Sequence, residues 1–287
     1  MPIEKLQTQL VSKPWGARDL SPWCSAATDG QLIGEVLYER SESNAPLSQL
    51  RLKVLFADQP LSIQVHPNDE SARKSGSSFG KTESWYILAA SPQAKVALGL
   101  KRSLNGYQLR RAIRDGSIAD EVVWKSVAAD DVLHVPAGTI HAIGAGLVLA
   151  EIQQRSDTTY RMFDYGRDRA LHVDEAVASA LTLPAEFQVR PNRLSEQRTL
   201  LVSDRHFIFE RIDLPPSSKW LLDTRRESWM FVLGGTAVAT GMPLHRGDAL
   251  FAEDSATDLA IEALGMELLL AYPGQDGPLA NLLVRET

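Results

Sequence analysis

The chain has 287 residues, 44% of them apolar, which is enough to bury one large core or two ordinary ones without covalent staples. A net charge of −6 with both signs interspersed gives no basic stripe for nucleic acid, and no apolar run approaches the length of a membrane span. The single cysteine, Cys24, excludes an internal disulfide and a thiolate metal cluster. The N-terminus, MPIEKLQTQLVSKPWG, has no apolar stretch behind a basic head, so no signal peptide is expected. A soluble cytoplasmic protein is the resulting expectation.

In chain order, short alternating segments dominate. Leu50–Phe56 places Leu50, Leu52, Val54 and Phe56 on one face, and Leu61–His66 alternates in the same way. Asn68–Lys74, after Pro67, has helical character. Trp85–Leu88 and Val96–Leu100 follow as strands. The helical pattern of Leu104–Ile113 is capped by Ser103, interrupted by Gly106 and stopped by Gly116, and Ile118–Val123 adds a short turn. Val132–Val135 and Leu147–Ile152 are strands again, and Val173–Leu181 is a helix starting near Asp174. Thr182–Arg198, polar and broken by Pro184 and Pro191, reads as a connection. Beyond it lie strands at Phe207–Ile212, Trp229–Leu233, Ala249–Ala252 and Leu268–Tyr272, with turns at Gly234–Gly235 and Gly247–Asp248. Closely spaced short strands predict β-sandwich or barrel units with a few inserted helices.

One constellation carries chemistry. Gln64 and His66 are two apart in a strand and so share a face. Glu83 enters the strand of GKTESWYIL, and His141 follows the turn set by Pro136 and Gly138. Two imidazoles and a carboxylate make a three-donor set for a divalent metal with a position left open, and Gln64 offers a fourth, weaker oxygen. By spacing alone the same residues also read as ordinary satisfied polar side chains, and both readings stand at this point.

These residues lie in blocks that resemble the type I phosphomannose isomerases, in their shorter bacterial form. Pro136-Ala-Gly-Thr-Ile-His141 matches the second motif of the cupin superfamily. Gln64-Val-His66 departs from the usual His-x-His of the first cupin motif but agrees with the isomerases. Lys13-Pro-Trp-Gly16, Ile33-Gly34-Glu35, PLSIQVHP (60–67), GKTESWYIL (80–88), VPAGTIHAIGAG (135–146) and EIQQRSDTTYRMFDYGR (151–167) follow in the family's order, covering about residues 13 to 175.

The resemblance implies a mainly β, double-cupin fold: a catalytic, metal-binding unit over 1–190 with a helical insertion near 103–123, and a second, degenerate unit over 191–287. It implies zinc-dependent interconversion of mannose 6-phosphate and fructose 6-phosphate through a cis-enediol. It also implies one zinc per chain on Gln64, His66, Glu83 and His141, an active-site Arg161, and Lys53, Ser62 and Lys81 near the substrate phosphate. Glu151 and Asp157 fall close to the sugar, with Glu151 the first choice of base and Lys81 a competitor. A phosphorylated hexose is the expected partner, and a homodimer is compatible with the C-terminal unit. The competing readings are an iron-dependent cupin oxygenase, since the same donors can hold iron, and a non-catalytic sugar-phosphate-binding cupin.

Overall fold

Frequent Gly, Pro and Asp residues cut the chain into short extended segments, and each must find a partner strand for its backbone groups. The computed structural model describes residues 3–41, 47–184 and 189–286. The chain runs β1 (Glu4–Lys5), β2 (Gln7–Ala17), β3 (Ile33–Glu39), β4 (Leu50–Ala57), β5 (Ile63–Val65), α1 (Asp69–Lys74), β6 (Glu83–Ala90) and β7 (Lys95–Leu100). It continues through α2 (Gly106–Asp115), α3 (Ile118–Glu121), β8 (Val122–Ser126), β9 (Val132–Val135), β10 (His141–Ile143), β11 (Leu147–Gln154), β12 (Tyr160–Phe163) and α4 (Val173–Ser179). The remainder is β13 (Asn192–Arg193), β14 (Arg198–Ser203), β15 (Ile208–Leu214), β16 (Lys219–Thr224), β17 (Ser228–Ala239), β18 (Met242–Leu244), β19 (Ala249–Ala252), β20 (Ser255–Tyr272) and β21 (Leu283–Arg285). The fold is mainly β and of double-cupin type, as expected.

Three antiparallel sheets form. The order β2-β3-β4-β11-β6-β9 makes a middle sheet, β12-β5-β10-β7-β8 an outer one, and β15, β17 and β20 lie at the centre of the third. β1 joins the third sheet by pairing with β19. The middle sheet is buried on both sides. Leu55, Trp85, Ile87 and Leu149 pack toward the outer sheet, with Val96, Leu98 and Ile143. Tyr38, Val54, Tyr86 and Ile152 pack toward the third, with Phe207, Phe209, Trp229 and Phe231. This explains β4: Leu52, Val54 and Phe56 sit in one core as the alternation required, but Lys53 and Leu55 on the opposite face are buried too.

The helices cover the far face of the outer sheet. Leu109, Ala112 and Ile113 pack with Ile63, Val65 and Ala142. Two boundaries differ from expectation for local reasons. Helix α2 starts at Gly106 because Asn105 and Gln108 form a reciprocal capping box that displaces Ser103 as the cap. Gly116, in the left-handed conformation, ends the helix. Helix α4 begins at Val173, as expected, and ends at Ser179 rather than Leu181 because Ala180 takes an extended conformation. In the predicted 182–198 connection, residues 185–188 lie outside the described residues.

Gly234–Gly235 is not a turn. Both residues lie inside β17, where the pairing with β20 shifts register on either side of them. Gly235 has φ +77°, and a Cβ there would fall 2.0 Å from the Gly265 carbonyl oxygen, so the pair makes an irregularity that bends the strand. Gly247–Asp248 is a turn, with Asp248 N–H donating to the His245 carbonyl at 3.0 Å. No helix among the described residues is long and apolar enough to cross a membrane.

A buried carboxylate ties the third sheet to the middle one. Glu227 accepts from Gln49 N at 2.6 Å, Leu50 N at 2.7 Å and Trp229 Nε1 at 2.9 Å. Glu227→Ala strands these buried donors. Chemical denaturation is expected to show a loss on the order of 3 kcal/mol.

Candidate metal centre and its cavity

The site lies between the middle and outer sheets, and strand register decides who meets whom. On the outer sheet, Gln64 of β5 stands between His141 of β10 and Arg161 of β12. On the middle sheet, Glu151 of β11 stands between Lys53 of β4 and Trp85 of β6. Glu83 lies two residues before Trp85, so the pleat aims it at the same interior. His66 follows β5 on the same face as Gln64. Gly80 brings the loop before β6 against the loop after His66, since a Cβ there would lie 2.6 Å from the Asn68 and Asp69 backbone.

Donor atoms of His66, Glu83 and His141 lie within 4.8 Å of one another, and each residue is 1% exposed. Both imidazoles have a fixed tautomer. His66 Nδ1 lies 3.0 Å from the Thr158 carbonyl and His141 Nδ1 2.9 Å from the Thr139 carbonyl. A carbonyl can only accept, so each Nδ1 carries the proton and each Nε2 presents an unprotonated lone pair. Those Nε2 atoms lie 3.3 and 3.5 Å from the Glu83 carboxylate.

Burial and the Lys81 charge push His66 down to about 3, and burial also lowers His141, so both are neutral near pH 7. Burial would raise Glu83, but the Lys81 charge outweighs it and holds the carboxyl well below the usual range. Lys81 Nζ is 2.9 Å from Glu83 Oε2, yet that oxygen accepts no directed hydrogen bond from the described residues. Two neutral imidazoles and an ionised, incompletely satisfied carboxylate fit a divalent cation.

Gln64 presents its amide nitrogen 3.2 Å from His141 Nε2, while its Oε1 accepts from Ser62 Oγ at 3.0 Å. Rotating the amide by half a turn would aim the oxygen at the centre and leave Ser62 as acceptor. Lys81 also lies 3.2 Å from His66 Nε2, so its ammonium competes with a metal for two donors.

Lys53, Ser62, Gln64, Lys81, Glu151, Asp157 and Arg161, expected at the site, all line one cavity of about 420 Å³. Lys53 is caged: Nζ is 3.8 Å from each of Glu35, Glu151 and Asp157. Asp157 is largely exposed and pairs with Arg51 at 2.7 Å, and burial is outweighed by Arg51 and Lys53, which lower its carboxyl. Arg161 donates from Nη1 to the Ala170 carbonyl at 2.8 Å, and its buried Nε has no hydrogen-bond partner among the described residues.

Glu151 is 3% exposed and accepts from Trp85 Nε1 at 3.1 Å. Burial and the Glu83 charge raise it to about 7 against the opposing pull of Lys81 and Lys53. Sequence reading gave no role to Lys13, Trp15, Glu35 or Arg169, which also line the cavity. The first three lay in quoted blocks, and Glu35 balances Lys13 at 3.2 Å. Nothing in the sequence separated Arg169 from its neighbouring arginines.

Fold and site together define a double-cupin protein with a buried His/Glu/His candidate metal centre beside a charge-rich cavity, which Gln64 and Lys81 line and the three donors themselves do not. No protein-family model matches the chain. It is 36% identical over 186 residues to the mannose-6-phosphate isomerase of Streptococcus mutans, spanning 62% of this chain and 58% of that one. It is 40% identical over 135 residues to the mannose-6-phosphate isomerase ManA of Bacillus subtilis, spanning 45% and 42%. The matched part is thus about half the length of these curated relatives. The crystal structure of the Bacillus subtilis mannose 6-phosphate isomerase superposes with a TM-score of 0.83 over 94% of this chain and 99% of that one, at 23% identity. The resemblance to the type I phosphomannose isomerases seen in the sequence therefore stands.

Lys81→Met removes the cation that competes for Glu83 and His66. Chelator competition is expected to show metal held at least tenfold more tightly, since close like charges near a protein surface repel by about 4 kcal/mol.

Proposed function

We propose that the protein is a zinc-dependent aldose–ketose isomerase that interconverts mannose 6-phosphate and fructose 6-phosphate. The observation that carries this reading is the pairing of a buried carboxyl near pKa 7, Glu151, with a three-donor metal set in the same sandwich. The division into a catalytic unit over 1–190 and a degenerate second cupin over 191–287 belongs to the proposal, as does a cytoplasmic setting.

His66, Glu83 and His141 would hold the metal, with Gln64 as fourth donor. Bound there, a divalent cation supplies Lewis-acid stabilisation of negative charge on sugar oxygens, and zinc does so without redox side reactions. The remaining work falls to the chain. Once the ring is open, ionised Glu151 takes the C2 proton of the aldose and returns it to C1, while the O2 hydroxyl proton passes to O1. The carbonyl moves from C1 to C2 through the cis-enediol, and the proton count is unchanged. A base poised near neutrality is suited to both halves.

Arg161, with an unused buried N–H, stabilises the enediolate oxygen or clamps the phosphate. Lys81 keeps a positive charge beside Glu151 and Glu83; burial opposes that charge but the carboxylates overcome it. Lys53 and Ser62 contribute a cation and a hydroxyl to the phosphate end, and Asp157 orients Arg51 and Lys53 at the rim.

A coupled isomerase assay with mannose 6-phosphate tests the reading. Chelation should abolish turnover and zinc restore it, and full activity in metal-free protein would end the proposal. Glu151→Gln should retain zinc while losing at least a hundredfold in kcat, and Arg161→Ala should retain zinc while losing most turnover.

The pH profile gives a further check. The base works when deprotonated, so kcat/KM should rise with pH as Glu151 ionises; burial and Glu83 raise that carboxyl, and a cation bound at Glu83 would draw the limb below the metal-free value of about 7. Trp85→Phe removes an N–H that stabilises the carboxylate. The acid limb is then expected to move up by about one pH unit.

A further inference from the structure

The middle sheet shows one face to the metal centre and the other to the third sheet, so alternate residues of β6 look opposite ways. Glu83 and Trp85 face the centre. Ser84, between them, bonds to His134 of β9, with Oγ 2.9 Å from Nδ1, and the two residues are register partners. His134 Nε2 lies 3.5 Å from Asp204 Oδ2, in the β14–β15 turn. Asp204 closes that turn by accepting from His206 N at 2.8 Å, and Phe207 of the same turn packs edge-on against the His134 ring. β9 leads directly into the Pro136–Gly138 turn that delivers His141, and Gly138 N–H donates to the His66 carbonyl at 2.8 Å.

We propose that Asp204 is a positioning residue for the metal centre, acting through His134 and Ser84 to fix the two strands that present Glu83 and His141. This rests on the reading of His66, Glu83 and His141 as metal donors. It gives the C-terminal unit a task beyond covering apolar surface: a carboxylate from the third sheet meets an imidazole that bridges β6 and β9. Glu227 provides the contrast. It crosses the same interface with two hydrogen bonds, from the Gln49 and Leu50 N–H groups, but it grips β4, which carries no metal donor.

The test compares full-length wild type, Asp204→Ala, Asp204→Asn and Glu227→Gln. Zinc affinity is read by competition with a chromophoric chelator, amide exchange is measured on metal-free protein, and kcat and KM are measured with mannose 6-phosphate. Asp204→Ala should weaken zinc binding about tenfold, the scale of losing a partner behind a ligand. It should also speed exchange at residues 83–86 and 132–135 and lower kcat more than it raises KM. Asp204→Asn, which keeps an acceptor, should recover part of the loss. Glu227→Gln should lower the melting temperature and leave zinc affinity unchanged.

The proposal is overturned if Asp204→Ala binds zinc like wild type with unaltered exchange in β6 and β9, or if Glu227→Gln loosens zinc equally. Should the wild type hold no zinc, the metal reading itself fails and exchange alone decides: faster exchange confined to β6 and β9 upholds the positioning role, and unchanged exchange overturns it.

Discussion

The Glu83 carboxylate is 1% exposed and still ionised, and the rest of the centre follows from that requirement. A bare carboxylate removed from water would take up a proton or unfold its surroundings. Here the Lys81 ammonium lies 2.9 Å away. The same low dielectric that makes Glu83 depend on this partner also strengthens its repulsion of Glu151, which burial and Glu83 together push to about 7 while Glu83 is held low. Two buried carboxyls in one sandwich thus acquire opposite protonation behaviour, one suited to holding a cation and the other to moving a proton.

Keeping these charges buried requires walls on both sides. The middle sheet supplies one wall with Glu83, Glu151 and Lys53, and the outer sheet supplies the other with Gln64, His66, His141 and Arg161. Neither sheet could do this alone, because a sheet with one wet face would let water screen the pair. Helices α2 and α4 dry the outer sheet through Leu109, Ile113 and Ala176, and the third sheet dries the middle one through Phe207, Phe209 and Trp229. In that sense the third sheet contributes to the electrostatics of a cavity whose lining it does not reach.

Polar links cross the apolar interface between the middle and third sheets. Glu227 seats the start of β4, Asp204 meets His134 on β9, and Arg211 donates to Tyr86 of β6 at 2.9 Å. Each ties down a strand that carries a cavity residue or lies beside one that does. A hydrophobic core alone would tolerate small slippage between sheets, whereas polar contacts between named partners fix the relative position.

The sequence by itself determined strands such as β4, β6 and β11, though not β2, β3 or β16, together with the helix-stopping glycine at 116 and the residue types of the metal set. These depend on alternation, on turn chemistry and on the two-residue spacing of Gln64 and His66, all of which are local. The ordered blocks from Lys13 to Arg167 carried the resemblance in the same linear way. What only the tertiary structure decided was pairing. Nothing in the spacing places Glu151 between Lys53 and Trp85, cages Lys53 among three carboxylates, turns the Gly234–Gly235 pair into a bend within β17, or joins Asp204 to His134 seventy residues earlier. Register between distant strands arises from the collective burial of both faces of the middle sheet, and no window of the sequence holds that information.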